Sequence, residues 1–115
     1  MQKWIDYCLG KKGAALAYPF GVDVPVINVG SKMFALFGIQ EDGGRINLKC
    51  DPDRSAALRE QYAAIQPGYH MNKRHWNTVI VDGSLTDEEI SMLIDHSYEL
   101  VFKGLKKAEK EKLNK

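Results

Sequence analysis

Val24-Pro25-Val26-Ile27-Asn28-Val29-Gly30-Ser31-Lys32-Met33-Phe34-Ala35-Leu36-Phe37-Gly38-Ile39 is the stretch that decides the fold. Residues 24–29 are mostly β-branched, and Gly30-Ser31 is a two-residue Gly-X connection of the kind that closes a tight hairpin. Lys32 to Ile39 is then the partner strand. Asp42-Gly43-Gly44 marks a further reversal, and Arg45 to Cys50 makes a third strand, with Ile46, Leu48 and Cys50 on one side and Asn47 and Lys49 on the other. Three strands in a row predict an antiparallel meander.

Helices flank the meander on both sides. Before it, Met1, Trp4, Ile5, Cys8 and Leu9 recur at helical spacing, and Gly10 or Gly13 ends the helix. Tyr18-Pro19-Phe20-Gly21 reads as an extended segment running into a turn. After the meander, Asp51 caps a helix that Pro52 begins, and Leu58, Tyr62 and Ile65 line its apolar face until Pro67. Trp76 to Val81 is a further strand. Thr86 and Glu89 form a capping box, with Leu85 and Ile90 as a hydrophobic staple, and Ile90, Leu93, Ile94, Ser97, Tyr98 and Val101 are the buried stripe of the last helix.

This order predicts an α+β domain of two layers, an antiparallel sheet with helices packed on one face. The other face is left to water or to a partner. Strict alternation along the second strand puts Met33, Ala35, Phe37 and Ile39 toward the helices. Phe34 and Leu36 then form an apolar patch on the open face, edged by Lys32 and Lys49.

With 115 residues, a single domain buries roughly two thirds of its unfolded surface, so neither disulfide nor metal is required to hold it. Cys8 and Cys50 have no C-x-x-C spacing and read as small apolar core residues in a reducing, cytoplasmic compartment. No apolar run approaches the length of a membrane span. The net charge of +1 conceals an asymmetry. Lys103 to Lys115 holds six lysines and two glutamates, and the preceding body holds ten basic and thirteen acidic residues, net −3. Residues 1–104 are expected as the folded domain and 105–115 as a basic tail, frayed or disordered.

Pro67-Gly68-Tyr69-His70-Met71-Asn72-Lys73-Arg74-His75-Trp76 is the segment densest in chemistry. His70 and His75 lie five apart in a turn-to-strand segment, a spacing that does not fit a helical zinc pair, and no cysteine is near them. G-x-S-x-G, P-loop and G-x-G-x-x-G signatures are absent, so the commoner hydrolase and nucleotide-binding classes have no support. Lys73-Arg74-His75-Trp76 is the strongest binding signal: Arg grips phosphate with two N–H groups, Lys adds a point charge, and indole offers a stacking surface. Against that stands the plainer assignment of Lys73 and Arg74 to a solvated loop and of Trp76 to the core.

Tyr18-Pro19-Phe20-Gly21, Lys32-Met33-Phe34-Ala35, Leu48-Lys49-Cys50-Asp51-Pro52 and Pro67 to Trp76 resemble, in order and spacing, the MmcQ/YjbR family of small bacterial proteins. The resemblance runs from about Trp4 to Leu105. It implies a CyaY-like (frataxin-like) fold and, through likeness to a double-wing domain, DNA binding without catalysis. Frataxins bind iron through an acidic first helix, and Asp6 is the only acid of the first helix here, so no cofactor or metal is expected. On these grounds the chain is expected to be a monomeric domain that binds double-stranded DNA weakly. Lys32, Lys49, Lys73 and Arg74, with His75 beside them, meet phosphates, and Phe34, Tyr69 and Trp76 supply flat surface. The alternative is a domain that recognises an anionic ligand or protein with the same surface.

Overall fold

The computed structural model describes residues 1–40, 43–69 and 71–113, the side chains of residues 39, 40 and 43 excepted. The Asp42 of the predicted reversal, the candidate ligand His70 and the last two residues of the tail lie outside the described residues. The elements in chain order are α1 (Gln2–Leu9), β1 (Ala14–Ala17), β2 (Val26–Val29), β3 (Lys32–Gln40), β4 (Gly43–Lys49), α2 (Pro52–Gln61), β5 (Ile65–Pro67), β6 (Trp76–Val81), α3 (Asp87–Lys103) and α4 (Lys107–Leu113). One sheet runs in the order β1-β2-β3-β4-β6-β5. Every neighbouring pair in it is antiparallel.

The predicted meander is present as β2, β3 and β4, and Val29 pairs with Lys32 across the Gly30-Ser31 turn. Gly30 has φ +59, the positive value that the first position of a two-residue hairpin turn demands. The two edge strands escape sequence patterning. β1 consists of Ala14, Ala15, Leu16 and Ala17, with no β-branched residue, and is ordered by its pairing with β2. Ile65 does not continue α2. That helix ends at Gln61, Tyr62 is extended, and Ile65 pairs with Val79 in β5 at 2% exposure. A β-branched side chain there gains more from the core than from another helical turn.

The helix starts follow the local chemistry. The Asp51 side chain accepts from the amides of Asp53 and Arg54, and the Thr86–Glu89 capping box is made in both directions. α1 and α3 lay Trp4, Ile5, Cys8, Ile90, Leu93, Ile94 and Val101 on Ile27, Val29, Ala35, Phe37, Ile46, Leu48 and Val79 of the sheet. The predicted two-layer α+β arrangement is the one observed.

Alternation fails at one place, and the reason is a β-bulge. Ile27 pairs with Ala35 but Asn28 pairs with Met33, so Phe34 is an extra residue on β3. The bulge turns Phe34 into the core, fully buried, where its ring meets Tyr98 of α3 edge-on at 5.3 Å and 82°. Phe34 is therefore not a surface aromatic, and Met33 moves to the open face in its place. Ser97 of α3, itself fully buried, serves the backbone that the bulge leaves unpaired. Its hydroxyl donates to the Phe34 carbonyl (2.6 Å) and accepts from the Lys49 amide (2.9 Å).

The lysine-rich end carries more order than its composition implies. Leu105 is 4% exposed and packs beside Gly30, Leu113 reaches Gly13, and the Glu109 carboxylate accepts from the Ser31 amide (2.9 Å). α4 is thus docked against the β2–β3 turn.

Two predictions concern α3. Ser97→Ala strands a buried carbonyl and a buried amide together, and should lower unfolding stability by about 2–4 kcal/mol in urea titrations. His96 accepts a hydrogen bond from the Asp51 amide (3.2 Å), and burial, with Arg54 adding to it, holds its pKa below the ordinary 6.5. The unfolded chain then takes up the proton first. Stability should be fullest above pH 6.5 and fall as pH drops through the lower folded value, an acid loss that His96→Gln removes.

Candidate ligand-binding face

Two loops rim the sheet face that carries no helix. Residues 18–25 join β1 to β2, and residues 68–75 join β5 to β6. The face itself is built from Val26, Met33, Leu36 and Gly38, from Arg45, Asn47 and Lys49 of β4, and from Trp76 and Thr78 of β6, with Leu36 opposite Asn47 and Lys49 opposite Trp76. It is not bare. Leu36 is 5% exposed and Val26 fully buried, because Pro19, Phe20 and Val24 of the first loop sit beside them.

The second loop is held by its own residues and by α2. The Asn72 carbonyl accepts from the amides of His75 (3.2 Å) and Trp76 (2.9 Å), and the Asn72 side chain accepts from the Arg74 amide (3.0 Å). The Lys73 ammonium donates to the Gly68 carbonyl (3.0 Å), and the Cys50 amide donates to the His75 carbonyl (2.9 Å). From α2 the Arg59 guanidinium donates to Asn77 Oδ1 (2.8 Å), to the Trp76 carbonyl (3.1 Å) and to the Lys73 carbonyl. Asn72 and Lys73 therefore shape the loop, while the Arg74 side chain projects into solvent.

The expected site residues divide accordingly. Lys32, Lys49 and Trp76 line one cleft of about 500 Å3 with Pro19 and Met33. Lys32 enters it from the first position of β3, ahead of the bulge, and its ammonium also reaches the Gly104 carbonyl at the end of α3 (3.4 Å). Tyr69, 65% exposed, lines a second cleft of about 330 Å3 with Phe20, Leu36, Arg45, Asn47 and Thr78. Arg74 and His75 line neither, and Phe34 is on the far side of the sheet. Arg59, Arg45, Phe20 and Thr78 were not singled out as site residues in the sequence. Gly38, a glycine inside a strand, is the sequence feature that could have pointed to the second cleft, and it was not read that way.

Charge is unevenly distributed over the described residues. Among the described residues, the strands and the two rim loops carry Lys32, Arg45, Lys49, Lys73 and Arg74 but only one acid, Asp23. The other described carboxylates lie on helices, at the Asp51 cap and in the turn after β6. Burial pushes the Cys8 thiol up to about 12, so it stays protonated and inert. Among the described residues no three His, Cys, Asp or Glu side chains group to hold a metal ion, and no helix is long and apolar enough to cross a membrane.

The family model described as YjbR matches residues 9–100. The chain is 36% identical over 95 residues to the Escherichia coli K12 protein YjbR, covering 83% of this chain and 80% of that one. It is 37% identical over 98 residues to YbdF of Escherichia coli O157:H7, covering 85% and 80%. Among solved structures, the Deinococcus radiodurans protein DR2400, a DUF419 domain, superposes with a TM-score of 0.90 at 37% identity over 98% of this chain and 86% of that one. A Pseudomonas syringae protein gives 0.75 at 34% identity over 87% and 97%.

The Arg59 contacts predict that Arg59→Met leaves the buried Asn77 oxygen and the Lys73 carbonyl short of a donor, and the Trp76 carbonyl with the Gly68 amide alone. The cost should be about 1–3 kcal/mol in denaturant unfolding, with amide hydrogen exchange accelerated from Met71 to Trp76 more than in the β2–β3 turn.

Proposed function

The chain belongs to the YjbR family, and we propose that it is a non-enzymatic DNA-binding domain that holds phosphates on its helix-free sheet face. One observation carries this: among the described residues the cations of the strands and rim loops stand with a single acid, Asp23, while the other carboxylates lie on helices, at the Asp51 cap and in the turn after β6. Sequence-independent affinity for DNA comes mainly from neutralised phosphates, so a local cationic face counts for more than net charge. Lys49 and Arg74 are the principal phosphate contacts. Lys73 sets the loop that presents Arg74, and Trp76 gives Lys49 a flat apolar wall. Lys32 extends the cationic line at the start of β3.

A second reading keeps the surface and changes the ligand. The body is net −3, which disfavours long-range attraction of a polyanion and suits a small anion held by Lys49 and Arg74 alone.

A salt series of duplex DNA titrations decides between them. Wild-type affinity should fall steeply with salt, and Lys49→Glu with Arg74→Glu should weaken binding on every sequence and reduce the log–log salt slope by about 2. An unchanged slope removes these residues from the interface. Wild-type protein that ignores duplex but shows amide shifts at Lys49 and Trp76 with small phosphorylated or carboxylated compounds establishes the second reading instead.

A further inference from the structure

Gly38 lies in the interior of β3, opposite Arg45, and a Cβ built on it meets nothing within 4 Å. A glycine inside a strand sacrifices packing and order, and where open space lies above it the backbone is available to a ligand. That space opens into the second cleft, between Phe20 of one loop and Tyr69 of the other, 62% and 65% exposed.

The polar groups of this cleft have fixed directions. The Tyr69 amide donates to Thr78 Oγ1 (2.9 Å), and the Thr78 hydroxyl donates to Asn47 Oδ1 (2.5 Å). The relay uses the two side-chain oxygens as acceptors, and the Asn47 side chain keeps its N–H hydrogens to donate. Two exposed rings, a ring-sized gap and donor groups together suit a flat ring with carbonyl oxygens on its edge.

We propose that this cleft takes one unpaired, keto-bearing nucleobase, so that the domain prefers single-stranded over double-stranded nucleic acid. The proposal rests on the nucleic-acid reading above. It deepens that reading by naming the strand state. Arg45, Asn47 and Lys49 are successive positions on the same face of β4, about 7 Å apart, and lead from the base cleft to the cleft of Lys49 and Trp76, where the strand's phosphate continues. In a duplex the same base is stacked on both faces and paired at its edge, so it cannot enter.

Fluorescence anisotropy with labelled oligothymidine and with a blunt duplex of mixed sequence tests this. Oligothymidine should bind more tightly than the duplex. Gly38→Val fills the gap with a strand-favouring side chain that has room for it, and should weaken oligothymidine binding by about tenfold or more without lowering the melting temperature. Tyr69→Ala, at an exposed side chain, should weaken it by a similar factor. Equal affinity for the two nucleic acids, or a Gly38→Val protein that binds oligothymidine like wild type, overturns the base cleft and leaves the phosphate reading standing. Failure to bind either nucleic acid overturns both.

Discussion

The buried hydroxyl of Ser97 is the constraint on which the arrangement of the sheet depends. An extra residue in β3 breaks the pairing register with β2. The last register pair between β3 and β4 on that side is Ala35 with Leu48. Without a partner, the Phe34 carbonyl and the Lys49 amide would be desolvated for nothing in return, a cost of about 1–3 kcal/mol apiece. One oxygen on α3 meets both needs, accepting from Lys49 and donating to Phe34. It thereby fixes the height of α3 over β3 and β4. The bulge it sustains moves a phenylalanine from the water side to the core side of the sheet, where burial stabilises the fold by about 2–3 kcal/mol.

The same displacement shapes the face opposite. Had β3 alternated throughout, Phe34 would stand beside Lys49 and Trp76 as a second large aromatic group. Met33 takes that place instead, and the strand ends in a cleft bordered by two lysines and an indole. Farther along, Gly38 leaves the backbone bare between Phe20 and Tyr69. One face of one strand thus carries a flexible thioether, a nearly buried leucine and a gap. The second rim loop is stiffened by Arg59 from beneath, which holds the Lys73 and Trp76 carbonyls, and Tyr69 and Arg74 project from it exposed.

How much of this could be read in the sequence follows from how local each cause is. The Gly30-Ser31 turn, the Asp51 and Thr86 caps and the stripe from Ile90 to Val101 depend on near neighbours, and each appears where its residues place it. β1 and β5 are short edge strands of Ala14–Ala17 and Ile65–Pro67, held by partners distant in sequence, and carry no pattern of their own. Phe34 was misplaced because a bulge shifts the phase of alternation without leaving a mark in composition. The N-K-R-H-W run drew attention by its chemistry, yet Asn72 and Lys73 close the loop on itself. Arg59, which braces that loop, sits on a helix face that periodicity assigns to solvent.

Net charge is a poor guide to what the helix-free face can bind, and the layered architecture explains why. Packed layers stand about 10 Å apart, while charges are screened over about 8 Å at physiological ionic strength. Carboxylates on the outer surfaces of α1, α2 and α3 are therefore at or beyond one screening length from a ligand seated across the sheet. Such a ligand meets Arg45, Lys49 and Arg74 with Asp23 as the one acid of the strands and rim loops described. The acids can slow the approach of a polyanion at low salt, where the screening length grows, but they weigh little once contact is made. An acidic body is therefore compatible with the proposed anion-binding face.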